Sequence, residues 1–210
     1  MYKNSIVVWD LETTALIDKK LVAIPDMQVS VGCVLIMDFD LALSCPERAF
    51  AEAEKRSYWH ADAIALDPSK RPLSELAELL ASARLNVAYN GRGFDILVMK
   101  QHFADAASFA TAERRLYDPL HQISGQLGWF KLATLLASNN IPGKSGKGAD
   151  APSQWQRGEL VELESYCAVD VDRLARLILQ QTLKFPLMLA RVPLGTLFGL
   201  VEEGNQLVTV

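Results

Sequence analysis

The chain has 210 residues, which is enough for one well-buried domain and crowded for two complete ones. Half of the residues are hydrophobic and 22% are charged, so the composition is globular and argues against a disordered protein. The formal charge of -4 argues against a protein that coats nucleic acid through overall basic charge, although a local basic groove stays compatible with it.

Cysteine usage and hydropathy indicate the compartment. The three cysteines have no Cys-x-x-Cys spacing and are odd in number, so neither a disulfide framework nor a zinc site is predicted. The N-terminus enters a strand without the successive segments of a signal peptide. The most apolar late stretch, residues 185–200, is interrupted by two prolines and an arginine and is too short for a membrane span. We therefore expect a cytoplasmic protein that does not associate with membranes.

The first predicted element is an apolar strand that begins at Ser5 and ends on two acidic residues, Asp10 and Glu12. Carboxylates two residues apart in a strand point to the same face of the sheet. They repel each other, and one is driven towards protonation unless a cation lies between them. The pattern indicates a divalent metal site, and the alternative is a solvated strand end that carries two acids by chance.

An antiparallel meander is predicted to open the fold. Residues 28–38 predict a second, largely buried strand, and a turn leads to a short third strand at Leu41–Ser44. Residues 46–60 have helix-forming composition. Residues 72–84 predict a helix, because their leucines recur at helical spacing.

A third acidic residue follows the next strand. Residues 86–90 predict a strand that ends at Gly91, and a helix begins near Phe94, so Asp95 falls in the first turn of that helix. The carboxyl edge of a strand is where functional groups converge in an α/β fold. Capping of the helix dipole is the alternative explanation of Asp95.

The last predicted helix carries a fourth acid. Residues 117–123 resemble a helix start, residues 131–139 predict a short helix, residues 141–153 a Gly/Pro-rich loop, and residues 159–181 a long helix. Tyr166 and Asp170 are four residues apart on the long helix and share a face. Because that face also carries leucines, we expect Asp170 to be at least partly buried and to need a partner.

Two other patterns do not predict sites. Residues 143–148 superficially suggest a phosphate loop, but Ser138 occupies the position of its first glycine and no strand precedes it. The three histidines lack metal-ligand spacing, so we take them as structural or surface residues.

Together the four carboxylates form a set from three separated segments. Asp10, Glu12, Asp95 and Asp170 supply hard oxygen ligands suited to two divalent cations, with room for substrate and water. Two such cations can activate a water on one side of a phosphodiester and stabilise the leaving oxygen on the other.

Three segments resemble the motifs of the DEDD superfamily of 3′-5′ exonucleases, which share a ribonuclease H-like fold. They are Asp10-Leu-Glu-Thr13, Asn90-Gly-Arg-Gly-Phe-Asp95 and Tyr166-Cys-Ala-Val-Asp170, in the order of the family's motifs. The Tyr-x-x-x-Asp form resembles the tyrosine subclass, as in proofreading domains of DNA polymerases. Residues 146–155 with 164–171 further resemble stand-alone or helicase-associated exonucleases, and the resemblance covers about residues 5 to 181.

The resemblance implies roles for the acidic residues and one tyrosine. Asp10 bridges two Mg²⁺ or Mn²⁺ ions, Glu12 and Asp170 complete the site of the ion that binds the attacking water, and Asp95 supports the second ion. Tyr166 orients that water or helps to deprotonate it.

The resemblance also implies contacts with the substrate. Leu11 touches the terminal nucleotide by apolar packing, and Thr13 lies near its 3′-hydroxyl. Asn90 and Phe94 shape the same pocket, although Phe94 is equally explained as a core residue.

Cations near these motifs are candidates for phosphate contacts. They are Lys144 and Lys147 in the Gly/Pro-rich loop, with Arg92 and Arg157 as further candidates. A solvated loop is the alternative for the two lysines.

We therefore expect an α/β, ribonuclease H-like domain over residues 1–181, with a mixed central sheet flanked by helices. Residues 182–210 would be a tail with a hairpin around Gly204–Asn205 that packs on the domain, a protein partner or a second copy. The expected activity is Mg²⁺- or Mn²⁺-dependent 3′-5′ hydrolysis of single-stranded DNA or RNA ends, which releases nucleoside monophosphates. The alternatives are a non-catalytic nucleic-acid-binding or adaptor module, and a nuclease of another polarity or substrate.

Overall fold

A mixed sheet is the centre of the fold. The computed structural model describes residues 2–16, 23–121, 129–143, 148–180, 182–185 and 188–193, the last two ranges as backbone alone. Six strands of the described chain form the sheet in the order β4-β3-β2-β1-β5-β6. They are β1 (Ser5–Thr13), β2 (Val29–Asp38), β3 (Glu54–Trp59), β4 (Arg71–Pro72), β5 (Leu85–Val87) and β6 (Leu116–Tyr117).

The strand directions bring several carboxyl ends to one edge. β2 is antiparallel to both of its neighbours, β1 and β3, whereas β5 is parallel to β1 and β6 is parallel to β5. The carboxyl ends of β1, β5 and β6 therefore meet at the same edge of the sheet. This arrangement confirms the predicted α/β, ribonuclease H-like fold with a mixed central sheet.

Helices cover both faces of the sheet. They are α1 (Phe39–Ser44), α2 (Pro46–Ala51), α3 (Ala61–Leu66), α4 (Leu73–Ser82), α5 (Asp95–Met99), α6 (Ala106–Arg114), α7 (Leu132–Ser138), α8 (Ala151–Arg157) and α9 (Leu160–Ile178). Apolar residues of α9, α7 and α8 pack with Ile6 and Val8 on one face. Residues of α4, α5 and α6 pack with Val7 and Trp9 on the other. Because β1 is covered on both faces, its sequence is a continuous apolar run.

The predicted third strand is wrong, and so is the extent of the helix after it. Leu41–Ser44 lies in α1, which Asp38 caps by accepting the N–H of Leu41 at 2.8 Å. The helix expected from the composition of residues 46–60 ends at Ala51. Residues Glu54–Trp59 instead pair with β2 as strand β3. The meander therefore exists with β3 as its third strand, since pairing with a buried strand overrides local propensity.

The other elements agree with prediction except at their ends. The helices predicted over residues 72–84, 131–139 and 159–181 are confirmed as α4, α7 and α9. The strand predicted over residues 86–90 is the shorter β5, and the expected loop over residues 141–153 gives way to α8 at Ala151. Tyr117 belongs to β6, and residues 119–121 begin the helical turn that was predicted from Tyr117.

The C-terminal region contains a strand pair that was not predicted. β7 (Thr182–Phe185) and β8 (Met188–Pro193) pair antiparallel, with Thr182 opposite Pro193. The hairpin predicted around Gly204–Asn205 lies outside the described residues, and the division of the chain at residue 181 stays a prediction. No helix in the described ranges combines the length and the apolar character that crossing a bilayer requires.

Candidate active site

The end of β1 directs two acidic side chains towards α9. Alternate residues of β1 enter the two cores, with Val8 on the α9 side and Leu11 on the α4 side. Asp10 and Glu12 follow Val8 at intervals of two residues, so they lie on the α9 side. Glu12 is buried and Asp10 is half-buried.

A β-bulge follows the acidic pair directly. Glu12 is opposite Val31, but Thr13 is opposite Val29, so the register shifts between them. Thr13 is buried and its hydroxyl donates to the carbonyl of Ala15 at 2.8 Å. Bulges bend a strand and redirect its side chains. The bulge thus fixes the direction in which the chain leaves the sheet beside Glu12.

Cys167 sets the position of α9 against the acidic strand. Its thiol donates to the backbone carbonyl of Asp10 at 3.4 Å. Burial raises the pKa of the Cys167 thiol well above its ordinary value, and the neighbouring Cys33 thiol and the charges of Asp10 and Glu12 raise it further. Cys167 is therefore a neutral packing residue that lies next to both carboxylates.

Asp170 lies one turn further along α9 and is almost completely buried. Its Oδ1 is 3.7 Å from Nη1 of Arg173, whose side chain is itself largely buried. The partner that a buried carboxylate requires is thus supplied within the helix. Tyr166, one turn before Asp170, is half-buried.

Asp95 joins the site from the other side of β1. It is the first residue of α5 and is buried. Burial raises the pKa of Asp95 well above its ordinary value, and the charge of Asp10 is the next largest cause. Asp10 and Asp95, which are 85 positions apart in the sequence, therefore lie close enough to repel each other.

Asp118, which the sequence analysis missed, holds the loop before Asp95. This buried residue follows β6, and its Oδ1 accepts the N–H groups of Asn90 at 3.0 Å, Leu120 at 3.0 Å and His121 at 3.3 Å. Its Oδ2 accepts the N–H of Arg92 at 2.9 Å. The Asp-Pro pair at the start of a helix signals the cap, but no local pattern signals the bonds to residues 26 and 28 positions away.

The loop that Asp118 holds is tightly folded. Asn90 is exposed and has a positive φ of 64°, and a Cβ at Gly91 would lie 2.6 Å from the Cβ of Ala88. Only glycine allows the backbone to approach Ala88 so closely. Asn90 is five residues before Asp95 in the sequence. The compact turn keeps both residues at the edge of the sheet where β5 ends.

The predicted apolar contacts lie mostly inside the protein. Leu11 is 5% exposed and belongs to the core on the α4 side, and the half-buried Phe94 packs against the same core. The exposed Asn90 and the half-buried Phe94 are thus the more accessible members of the predicted pocket, whereas Leu11 and Thr13 are buried.

The predicted phosphate contacts have protein partners where they are described. Nη2 of Arg92 donates to the carbonyl of Leu116 at 2.7 Å, which directs the guanidinium to β6. Arg157 forms two bonds with Glu159, at 2.6 and 2.8 Å. Lys144 and Lys147 lie outside the described residues.

The acidic residues fit divalent cations in type and in charge. In the described part of the chain, no three His, Cys, Asp or Glu side chains are gathered as a ready metal site. The donor set consists of carboxylates, which Mg²⁺ and Mn²⁺ prefer, and a cation next to Asp95 would reverse the repulsion that raises its pKa.

We expect Asp95→Asn to stabilise the metal-free protein in mildly alkaline buffer. Because folding raises the pKa of Asp95, the folded state holds this proton more tightly, and the stability that it contributes is complete below the ordinary pKa of 3.8. That stability is lost as the pH rises through the folded pKa. Thermal unfolding in the presence of a chelator, measured from below pH 3.8 into alkaline buffer, should show that Asp95→Asn does not lose stability as the pH rises. A Tm of Asp95→Asn below that of wild type in alkaline buffer would contradict this expectation.

Comparisons with known proteins identify solved structures alone. No protein-family model and no curated protein matches the chain. It is similar to a product-bound structure of exonuclease I, with 13% identity, a TM-score of 0.43 and coverage of 85% of this chain and 46% of that one. It is also similar to E. coli exonuclease I in complex with a 5cy-dT13 oligonucleotide (14% identity, TM-score 0.41, 78% and 42% covered) and to the ExoI/SSB-Ct complex (13%, 0.42, 85% and 44%). The chain spans less than half the length of each of these proteins.

Proposed function

We propose that the chain is a metal-dependent 3′-5′ exonuclease that removes nucleoside monophosphates from the end of a single-stranded nucleic acid. The observation that carries the proposal is the approach of two carboxylates from separate segments, the buried Asp95 at the start of α5 and the half-buried Asp10 of β1, whose charge raises the pKa of Asp95 after burial does. Such a pair is costly for a purely structural role and is suited to binding a cation.

Four carboxylates would hold the cations. Asp10 and Glu12 on β1, Asp95 on α5 and Asp170 on α9 supply oxygen ligands from three segments. When bound, two Mg²⁺ or Mn²⁺ ions supply charge stabilisation at the attacking and leaving oxygens and acidify a water. The thiol of Cys167 would hold the backbone of Asp10 in place for this task.

Other residues would position the water and the nucleotide. Tyr166, one turn before Asp170, would orient the attacking water through its hydroxyl, as the tyrosine subclass implies. The exposed Asn90 and the half-buried Phe94 would contact the terminal nucleotide, with the buried Leu11 and Thr13 behind them. Lys144 and Lys147 remain candidates for phosphate contacts.

A non-catalytic nucleic-acid-binding or adaptor module is the second candidate, and one observation favours it. Arg173 already balances the charge of Asp170 from 3.7 Å, as a buried structural ion pair would. In that case divalent cations would leave the protein unaffected, whereas the exonuclease needs them.

Digestion of end-labelled single strands tests the proposal. DNA and RNA oligonucleotides labelled at the 3′ or the 5′ end are incubated with Mg²⁺, Mn²⁺ or a chelator. We expect metal-dependent release of the 3′ label as mononucleotide and a ladder of shortened 5′-labelled products. Retention of both labels on every substrate by folded, metal-supplied protein would favour the adaptor, and release of the 5′ label first would show the opposite polarity.

A further inference from the structure

Trp129 is a large aromatic residue that the protein leaves in solvent. Its side chain is 72% exposed, whereas Trp9 and Trp59 are fully buried and Trp155 is half-buried. None of the roles assigned above uses Trp129. Its position in the fold indicates what could cover it.

The residue after Trp129 is bound to the end of β5. The carbonyl of Phe130 accepts a hydrogen bond from the hydroxyl of Tyr89, and both aromatic rings pack against the core on the α9 side of the sheet. Burial raises the pKa of the Tyr89 hydroxyl, and the charge of Asp118 raises it further. Tyr89 therefore lies near the Asp118 clamp, by which we mean the hydrogen bonds that Asp118 accepts from the backbone N–H groups of Asn90 and Arg92. The backbone that follows Trp129 is therefore held near the carboxyl edge of β5, where the acidic residues lie.

The strand register defines the level of that attachment. Val8 of β1 is paired with Val87 of β5, and the two strands are parallel. Tyr89 follows the carboxyl end of β5 in the turn after the strand, and Asp10 follows Val8 by two residues in β1, so both lie at the edge where these two strands run out of their pairing. Trp129 is thus the neighbour in sequence of a residue that is bonded to this edge of the sheet.

The charge of the site determines which kind of contact a nucleic acid needs there. Carboxylates repel phosphates, the site is built from acidic residues, and the whole chain carries a net charge of -4. A strand whose end reaches these acids must therefore gain affinity outside them and without relying on overall charge. Stacking of a base on an aromatic ring is such a contact, because it is independent of sequence and of phosphate charge.

Lys131 indicates that the ligand of Trp129 is a nucleotide and not the apolar surface of another protein. It is exposed and lies two residues after Trp129, where its ammonium can contact a phosphate that flanks a stacked base. Alternation of an exposed aromatic residue with a cation suits one nucleotide, whereas protein interfaces need a contiguous apolar patch.

We infer that Trp129 is a stacking platform for a nucleobase of the single strand whose 3′ end reaches Asp10. The inference rests on the proposed function, which supplies the single strand and the direction in which its end enters the site. The inference assigns a base-binding position, with Lys131 as its phosphate contact, outside the acidic centre.

Tryptophan fluorescence tests the inference directly. The full chain is titrated with a short oligothymidylate in chelator, where metal-dependent cleavage cannot proceed. Because the other tryptophans are buried or half-buried, we expect saturable quenching that Trp129→Phe abolishes. By anisotropy of a labelled oligonucleotide, Trp129→Phe should bind within about twofold of wild type, and Trp129→Ala about tenfold more weakly.

Controls separate stacking from folding and from catalysis. Leu66, which is 80% exposed at the end of α3, provides a matched variant, Leu66→Ala, that should bind like wild type. An oligonucleotide without bases should bind wild type and Trp129→Ala equally. Quenching in the wild type together with weaker binding by Trp129→Ala supports the inference, even if the chain degrades no oligonucleotide. Equal oligothymidylate binding by wild type and Trp129→Ala overturns it, even in an active exonuclease, and leaves a protein as the occupant.

Discussion

Asp10→Asn is expected to lower exonuclease turnover by about a thousandfold while leaving the protein folded. A loss of that size corresponds to about 4 kcal/mol of transition-state stabilisation, which is the scale of a metal ion's contribution. Asparagine keeps the shape of the side chain but removes the charge that would hold the cations. It also removes a charge that raises the pKa of Asp95, so the metal-free variant should unfold at the same temperature as wild type or at a higher one.

Asp172→Asn is the matched control for this loss. Asp172 lies on α9 two residues after Asp170, but its side chain pairs with Lys55 at 2.8 Å and with Arg176 at 2.9 Å, away from the site. We expect its turnover within about twofold of wild type and a stability loss of at most about 1 kcal/mol. Undiminished turnover in Asp10→Asn, or an equal loss in Asp172→Asn, would contradict the assigned role of the acidic strand.

Asp118→Ala is expected to cost about 3 kcal/mol of stability or more, because it leaves buried backbone N–H groups without their acceptor. Asp118→Asn is more informative. Its carbonyl oxygen can still accept the N–H groups that Oδ1 accepts, but its amide faces the N–H of Arg92. We expect a folded protein with a displaced loop at Arg92 and a turnover about a hundredfold lower, the scale expected for a shift of about 1 Å near a reacting group.

Asp105→Asn distinguishes the clamp from an ordinary helix cap. Asp105 accepts the N–H of Ser108 at 2.7 Å at the start of α6, but it is exposed and lies outside the site. Its replacement should cost at most about 1 kcal/mol in denaturant unfolding and leave turnover unchanged. Wild-type turnover in folded Asp118→Asn would show that the position of the loop does not matter for catalysis.

Sequence reasoning worked where the signal is local. The alternation along β1 puts Asp10 and Glu12 on one side, and the helical spacing of Tyr166 and Asp170 gives them one face of α9; both follow from backbone geometry. The apolar run of β1 and the leucine periodicity of α4 similarly depend on nearby residues and on burial.

Features that depend on residues far apart in the sequence could not be predicted from local patterns. Residues 54–59 form a strand because β2 offers a free edge to pair with, which their own composition does not encode. The clamp by Asp118 joins the ends of β5 and β6, and the contact between Cys167 and Asp10 spans 157 positions. The ion pair of Asp170 with Arg173 is local, and the i, i+3 spacing of the two residues is enough to predict it from the sequence.

Crystals of the protein soaked with Mn²⁺ test the metal site most directly, through the anomalous scattering of the bound ions. We predict two peaks at the carboxyl edge of β1, with oxygens of Asp10 between them and oxygens of Glu12, Asp95 and Asp170 as further ligands. In Asp10→Asn crystals both peaks should weaken or vanish. An edge without anomalous density, with Asp170 still held by Arg173, would contradict a two-metal exonuclease and indicate a binding module in its place.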